Sequence, residues 1–211
     1  MSPTVVRHPI FARVFHRLSG VMERDVGEHR QEMLAGLSGR VVEIGAGNGM
    51  NFAHYPATVD EVIALEPEAY LRAKAEQAAS RAAVHVTVQA GVADALPFGA
   101  AMFDAAVASL VLCSVSDPAT ALAEMRRVLK PGAELRFMEH VRSAHPGKAR
   151  VQRFSDRSGL WPRVAGGCHC DRDTVTEIAA AGFQVMHVCS YDIGPSWALT
   201  NPHVRGVAAL A

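Results

Sequence analysis

A turn with glycine at every second position, Val41-Val-Glu-Ile-Gly-Ala-Gly-Asn-Gly-Met-Asn-Phe52, constrains the fold of this chain more than any other segment. An apolar run ending in an acid, then alternating glycines, then a helical pattern describes a strand turning tightly into a helix. Gly45, Gly47 and Gly49 open backbone conformations closed to other residues and let a ligand approach the main chain. The helix that follows aims its N-terminus at the same spot. Such a loop suits a nucleotide-like cofactor. A dinucleotide-binding loop would need its third glycine where Met50 stands, whereas here that glycine arrives one residue early, at Gly49.

The rest of the chain alternates strand and helix patterns. Apolar residues Ile10, Phe11, Val14, Phe15, Leu18, Val21 and Met22 recur at helical spacing, and a second helical stretch is expected over about 26–37. Strands are expected at 40–44, 61–65, 84–88, 103–110, 133–141, 183–189 and 204–210. The run from Phe103 to Leu110 has the continuous apolar character of a strand buried on both faces. Helices are expected at about 69–82, 148–160 and 173–181. Another starts at Asp117-Pro118 and stops at Lys130-Pro131-Gly132, with N-cap, first-turn proline and terminal glycine in their usual places. Strands alternating with helices imply an α/β, doubly wound, mainly parallel seven-stranded sheet. Ligands in such sheets bind outside the strands' carboxyl ends, where the winding reverses.

With 211 residues, the expectation is one domain: a helical cap over 1–38, a cofactor-binding core over 39–141, and substrate-side segments over 142–211. Net charge is zero and no basic cluster stands out, which disfavours nucleic acid as a partner. A small-molecule acceptor and a monomer are expected. Cys113, Cys168, Cys170 and Cys189 form no disulfide framework and fit a reducing compartment. The sequence shows neither a signal peptide's apolar core nor a run long enough to span a bilayer, so a soluble cytoplasmic protein is expected. Arg7, His8, Arg13, His16 and Arg17 flank the first apolar stripe. That helix is read as a lid over the cofactor; the second reading lays it on a membrane surface.

The G-x-G-x-G loop preceded by Glu43 resembles motif I of class I S-adenosylmethionine-dependent methyltransferases. Glu66, about twenty residues on, is suited to accept hydrogen bonds from two ribose hydroxyls. Gln89-Ala-Gly-Val-Ala-Asp-Ala-Leu-Pro-Phe98, Phe103-Asp104 and Leu129-Lys-Pro-Gly132 resemble the successive motifs of proteins related to quinone-biosynthesis C-methyltransferases. In that group an acid often follows the glycine and binds adenine. Here that position is Val92, which leaves Asp94 or the backbone of Val92 and Ala93 for the contact. A narrower resemblance runs from Asn51-Phe52 and Tyr55-Pro56 to the C-terminus. It includes Leu110-Val-Leu-Cys-Ser-Val115, Phe137-Met-Glu-His-Val141, Gly167-Cys168, Asp171-Arg-Asp-Thr174 and Pro202-His-Val-Arg-Gly206. These motifs resemble the methyltransferase-like proteins that methylate alkyl thiols, together with their bacterial relatives. The resemblance implies a Rossmann-like methyltransferase fold and S-adenosyl-L-methionine as cofactor. The expected cofactor residues are Glu43, Gly45, Ala46, Gly47, Gly49, Asn51, Glu66, Pro67, Val92, Ala93, Asp94, Ser109, Leu110 and Cys113.

The implied reaction is in-line displacement at a sulfonium methyl, with a small apolar thiol as the expected acceptor. Alternatives are C-, N- or O-methylation of a quinone-like, phenolic or lipid acceptor, and a cofactor-binding protein without turnover. Positioning dominates such a transfer and supplies roughly 7–11 kcal/mol. A thiol of pKa about 8.5 gains only about tenfold from full ionisation, so a dedicated base is optional. His140, Glu139 and His203 are the candidate base or orienting residues. Glu139 and His140 are adjacent on a strand, so one of the two is expected to face the pocket. Phe154 and Trp161 are candidates for an apolar wall. Cys168-His169-Cys170 lacks the second ligand pair of a usual zinc site, so no metal is expected.

Overall fold

The chain runs α1 (Pro9–Leu34), β1 (Gly39–Ile44), a 3-10 turn (Phe52–His54), β2 (Val59–Leu65), α2 (Ala69–Ala79), β3 (His85–Gln89) and β4 (Phe103–Ser109). It continues through α3 (Pro118–Val128), β5 (Leu129–His140), α4 (Pro146–Arg157), α5 (Leu160–Val164), α6 (Thr174–Ala180), β6 (Phe183–Asp192) and β7 (Pro202–Leu210). The structure, a computed structural model, describes residues 9–210. Arg7 and His8 lie outside the described residues.

The seven strands form one sheet in the order β3-β2-β1-β4-β5-β7-β6. β1 pairs in parallel with both β2 and β4, and β7 is antiparallel to both of its neighbours. Winding reverses between β1 and β4, so the crevice at their carboxyl ends is the place where this architecture leaves room for a ligand. Alternation along the strands explains the two cores. Val42, Ile44, Ala106, Leu135 and Phe137 pack on one face with Leu122, Met125 and Val128 of α3 and Ile178 of α6. Val41, Val62, Ala105, Val107 and Met138 pack on the other with Val26, Met33 and Leu34 of α1 and Ala75 of α2.

Several elements differ from the sequence reading. The helix expected directly after the glycine loop is only the 3-10 turn Phe52–His54, because Tyr55, which precedes Pro56, is extended and ends it. The two expected N-terminal helices are one continuous α1 of 26 residues. The Glu23-Arg24-Asp25 stretch between them contains no breaker, and Gly27 sits against the Glu23 side chain rather than ending the helix. α3 stops at Val128, and β5 starts directly at Leu129 with a register irregularity opposite Phe103. The expected 148–160 helix is split, because Gly159 takes a left-handed conformation with φ 69°.

The register of β7 depends on a residue without a side chain. A Cβ at Gly206 would collide with the Phe137 ring and the His187 carbonyl on the two flanking strands. Gly206→Ala is therefore expected to cost about 1–3 kcal/mol of stability through overpacking. Urea unfolding measures it; an unchanged midpoint would show that the strands shift freely.

Candidate active site

The glycine loop opens a cavity of about 490 Å3 at the carboxyl ends of β1 to β4, a size suited to a small-molecule ligand. Gly45, Gly47 and Gly49 all have positive φ. At Gly45 a side chain would meet Val111 of the turn after β4, so glycine there lets the two crevice walls close together. A larger depression of about 670 Å3, between Asp117–Arg127 and Glu177–Ala181, lies away from the strand ends and has none of the loop's backbone donors.

Two buried carboxylates shape the cavity. Glu66 caps the end of β2, its Oε2 accepting from the Gly47 amide at 2.8 Å and its Oε1 from the Glu68 amide at 2.8 Å. Burial pushes its pKa up to about 7 against these two hydrogen bonds. Each oxygen keeps a further lone pair for a ligand hydroxyl. Glu43, at 1% exposure, accepts from Asn51 Nδ2 and from the Tyr55 hydroxyl, both at 2.8 Å. Burial raises it to about 7 as well, opposed by those donors and by the charge of Arg30.

Arg30 ties α1 to this centre. Its Nη1 donates to Asn51 Oδ1 at 2.7 Å and to Ser109 Oγ at 3.2 Å, and its Nε pairs with Glu23 at 3.2 Å. The sequence reading missed Arg30, although its position was informative. It shares helical spacing with the buried Val26, Met33, Leu34 and Leu37, and a cation on an apolar stripe needs a buried partner. Asn48 adds a second tie, its Nδ2 donating to Ser19 Oγ at 2.8 Å and standing 3.1 Å from His16 Nδ1.

Most of the expected cofactor residues converge. Glu43, Gly45, Ala46, Gly47, Asn51, Glu66, Pro67, Val92, Ala93, Asp94, Ser109 and Leu110 all line the cavity. Gly49 does not; a side chain there would strike Phe52 and Ala78, so its smallness serves packing behind the loop. Cys113 also lies behind the wall. Phe11, Ala12 and Phe15 of α1 line the cavity, as do Gly166 and Gly167 beyond α5, a loop the sequence reading left unassigned. α1 thus covers the glycine loop. The apolar stripe expected along it is divided, however, because Ile10, Val14, Leu18, Val21 and Met22 face outward. Phe154 is also exposed and supplies no wall. Buried polar atoms without partners point to what the cavity takes: Asp94 Oδ1 and Asn48 Oδ1 are enclosed and make no hydrogen bond.

The three expected catalytic residues stand apart from the cavity lining. Glu139 is fully buried, and its carboxylate accepts from the amides of Val111, Leu112 and Cys113 at 2.8–3.1 Å. It holds the turn after β4 instead of reaching toward a substrate. Burial lowers His140 to about 3, helped by neighbouring His203, so its imidazole is neutral. His203 is buried, donates from Nδ1 to the Asn201 carbonyl at 2.9 Å, and is lowered to about 4 by burial. Its ring meets that of His140 edge-on at 4.6 Å. One convergence was invisible in the spacing: Cys113, His140 and Cys168 have their ligand atoms within 4.8 Å of one another.

Comparison with known proteins agrees with this geometry. A family model described as a methyltransferase domain matches residues 42–137. The chain belongs to the class I S-adenosylmethionine-dependent methyltransferases. It is 31% identical over 182 residues to human thiol S-methyltransferase TMT1B, covering 83% of this chain and 73% of that protein. It is 36% identical over 107 residues to the demethylmenaquinone methyltransferase of Renibacterium salmoninarum, which covers 51% of this chain and 42% of that one. The solved structure of the N-methyltransferase NodS from Bradyrhizobium japonicum WM9 has the same fold. It superposes with a TM-score of 0.64 at 16% identity, over 92% of this chain and 98% of that chain.

Arg30→Met is expected to destabilise the protein by about 1–3 kcal/mol, because the buried oxygen of Asn51 loses its charged donor. Chemical denaturation measures this. A variant as stable as the parent would remove Arg30 from the account of how α1 is held.

Proposed function

We propose that the protein transfers a methyl group from S-adenosylmethionine to small apolar thiols. The cofactor, when bound, supplies a methyl carbon on a sulfonium that needs no acid to leave. The chain's contribution is to hold it. Glu66 accepts from the ribose hydroxyls, the free Oδ1 of Asp94 and the backbone at Val92–Ala93 take adenine, and Gly45–Gly47 admit the main-chain approach. Glu43, with Asn51 and Ser109, shapes the pole where positive charge sits. The unpartnered Asp94 and Asn48 oxygens fit a polar nucleoside, because a buried acceptor without a donor is costly unless a ligand supplies one.

The thiol assignment is carried by what lines the acceptor side. Phe11, Phe15, Leu110, Val111 and Val115 make it apolar, and among the described lining residues there is no histidine. A thiol ionises appreciably near neutral pH and needs no base, whereas a phenol or a carbon acid depends on one. The identity to human thiol S-methyltransferase TMT1B supports the same reading. The partial match to a demethylmenaquinone methyltransferase supports a second one, methylation of a quinone-like ring. Among the described residues no helix is long and apolar enough to cross a membrane. The four cysteines are free, which supports a reducing compartment such as the cytoplasm.

An acceptor screen separates the two readings. Alkyl thiols are expected to release S-adenosylhomocysteine, while phenols and quinols give little; the reverse ranking would replace the thiol reading with the second. Cofactor affinity has its own signature. Glu66 binds ribose in its ionised form and has a pKa of about 7, so lowering the pH protonates it and weakens binding. Affinity is expected to fall by up to about tenfold from pH 8 to pH 6, and Glu66→Ala is expected to weaken binding strongly at pH 8. Calorimetry that finds a pH-independent constant, or normal affinity in the variant, would remove the ribose role.

A further inference from the structure

Three segments far apart in sequence bring two thiols and an imidazole together behind the acceptor wall. Cys113 lies in the turn after β4, His140 ends β5, and Cys168 lies in the loop after α5. His140 Nδ1 stands 3.6 Å from Cys113 Sγ and 3.4 Å from Cys168 Sγ, and all three ligand atoms lie within 4.8 Å of one another. Zinc bonds of about 2.3 Å to sulfur and about 2.0–2.1 Å to nitrogen, at a tetrahedral angle, place sulfur and nitrogen about 3.5 Å apart. The two sulfur–nitrogen separations match that value.

The surroundings hold that spacing. The Glu139 carboxylate fixes the amides of Val111, Leu112 and Cys113. The His169 amide donates to the Cys113 carbonyl at 2.7 Å, fastening the second loop to the first turn. Gly167, with φ 94°, permits this approach, since a side chain there would strike the Ser114 carbonyl. Arg172 donates to the carbonyls of Leu112 and Val115 from the same side. Both cysteines are buried and His140 is half-buried.

We propose that Cys113, His140 and Cys168 bind one Zn2+ ion, with a solvent oxygen as fourth ligand. Binding forms two zinc–thiolate bonds and one zinc–imidazole bond, and the two thiol protons leave to solvent. The ion fastens the Gly166–Gly167 loop, which lines the cofactor cavity, to the ends of β4 and β5. Ion binding at this cluster is independent of which acceptor the cavity takes.

The test uses the full chain, reduced and freed of metal, titrated with Zn2+ against a competing chelator and with Co2+ as a spectroscopic probe. One ion per chain is expected, with sulfur-to-cobalt charge-transfer bands and the ligand-field pattern of a tetrahedral site. Cys168→Ser, which sits on a loop and changes little volume, is expected to reduce affinity at least about 100-fold, since losing only a residue that orients a metal ligand already costs roughly 10–100-fold. Cys189→Ser, outside the cluster, is expected to bind as the parent does. Circular dichroism checks that each variant is folded. Substoichiometric binding by the parent, or bands unchanged in folded Cys168→Ser, would overturn the site. So would a reduced protein without metal affinity that forms a Cys113–Cys168 disulfide under mild oxidant, since the cluster would then be a redox pair.

Discussion

A buried carboxylate at the end of β1 organises the working end of this protein. Glu43 cannot reach water, so its two oxygens draw in Asn51 and Tyr55, and Asn51 in turn presents its own oxygen to Arg30. That chain of donors and acceptors fixes the residues just after the glycine loop and fastens α1 across them. Without it, α1 would be kept over the cavity by its apolar packing and the Asn48 contacts to Ser19 and His16. Sets of buried polar groups of this kind specify one arrangement when every member is satisfied.

Positioning, more than proton transfer, is what the site offers. Two raised carboxylates, a loop of small residues and the unpartnered oxygens of Asp94 and Asn48 share a cavity with the apolar side chains of Phe11, Phe15, Leu110, Val111 and Val115. His140 and His203 pack against each other, with His203 bonded to the backbone and His140 set between two cysteines. Such a site suits an acceptor that brings its own nucleophilicity. It suits less well one that must be deprotonated by the enzyme.

Much of this was legible in the residues. The strands at either end of the Arg40–Glu66 segment and the glycine turn report local geometry, which sequence encodes through periodicity and glycine spacing, and the gathering of most expected cofactor residues around one cavity followed from it; the helix expected after the turn did not form. What the sequence hid depends on distant contacts. Nothing within residues 10–22 says which apolar side chains face the cavity; Phe11 and Phe15 do because the glycine loop lies beneath them, while Val14 and Leu18 face outward. Glu139 and His140 resembled catalytic residues by their place at a strand end. Only the fold shows that the turn after β4 claims the carboxylate and that two cysteines flank the imidazole. Arg30 was detectable as a charge at core spacing, and its partners were not.

The central claim is that the crevice between the glycine loop, Glu66 and α1 holds the nucleoside cofactor. Amide hydrogen exchange with and without S-adenosylmethionine tests it most directly. The account predicts slowed exchange at residues 44–51, 66–71 and 91–95, together with the part of α1 around Phe11 and Phe15. Protection confined to the depression between Asp117–Arg127 and Glu177–Ala181, or none at saturating cofactor, would contradict it.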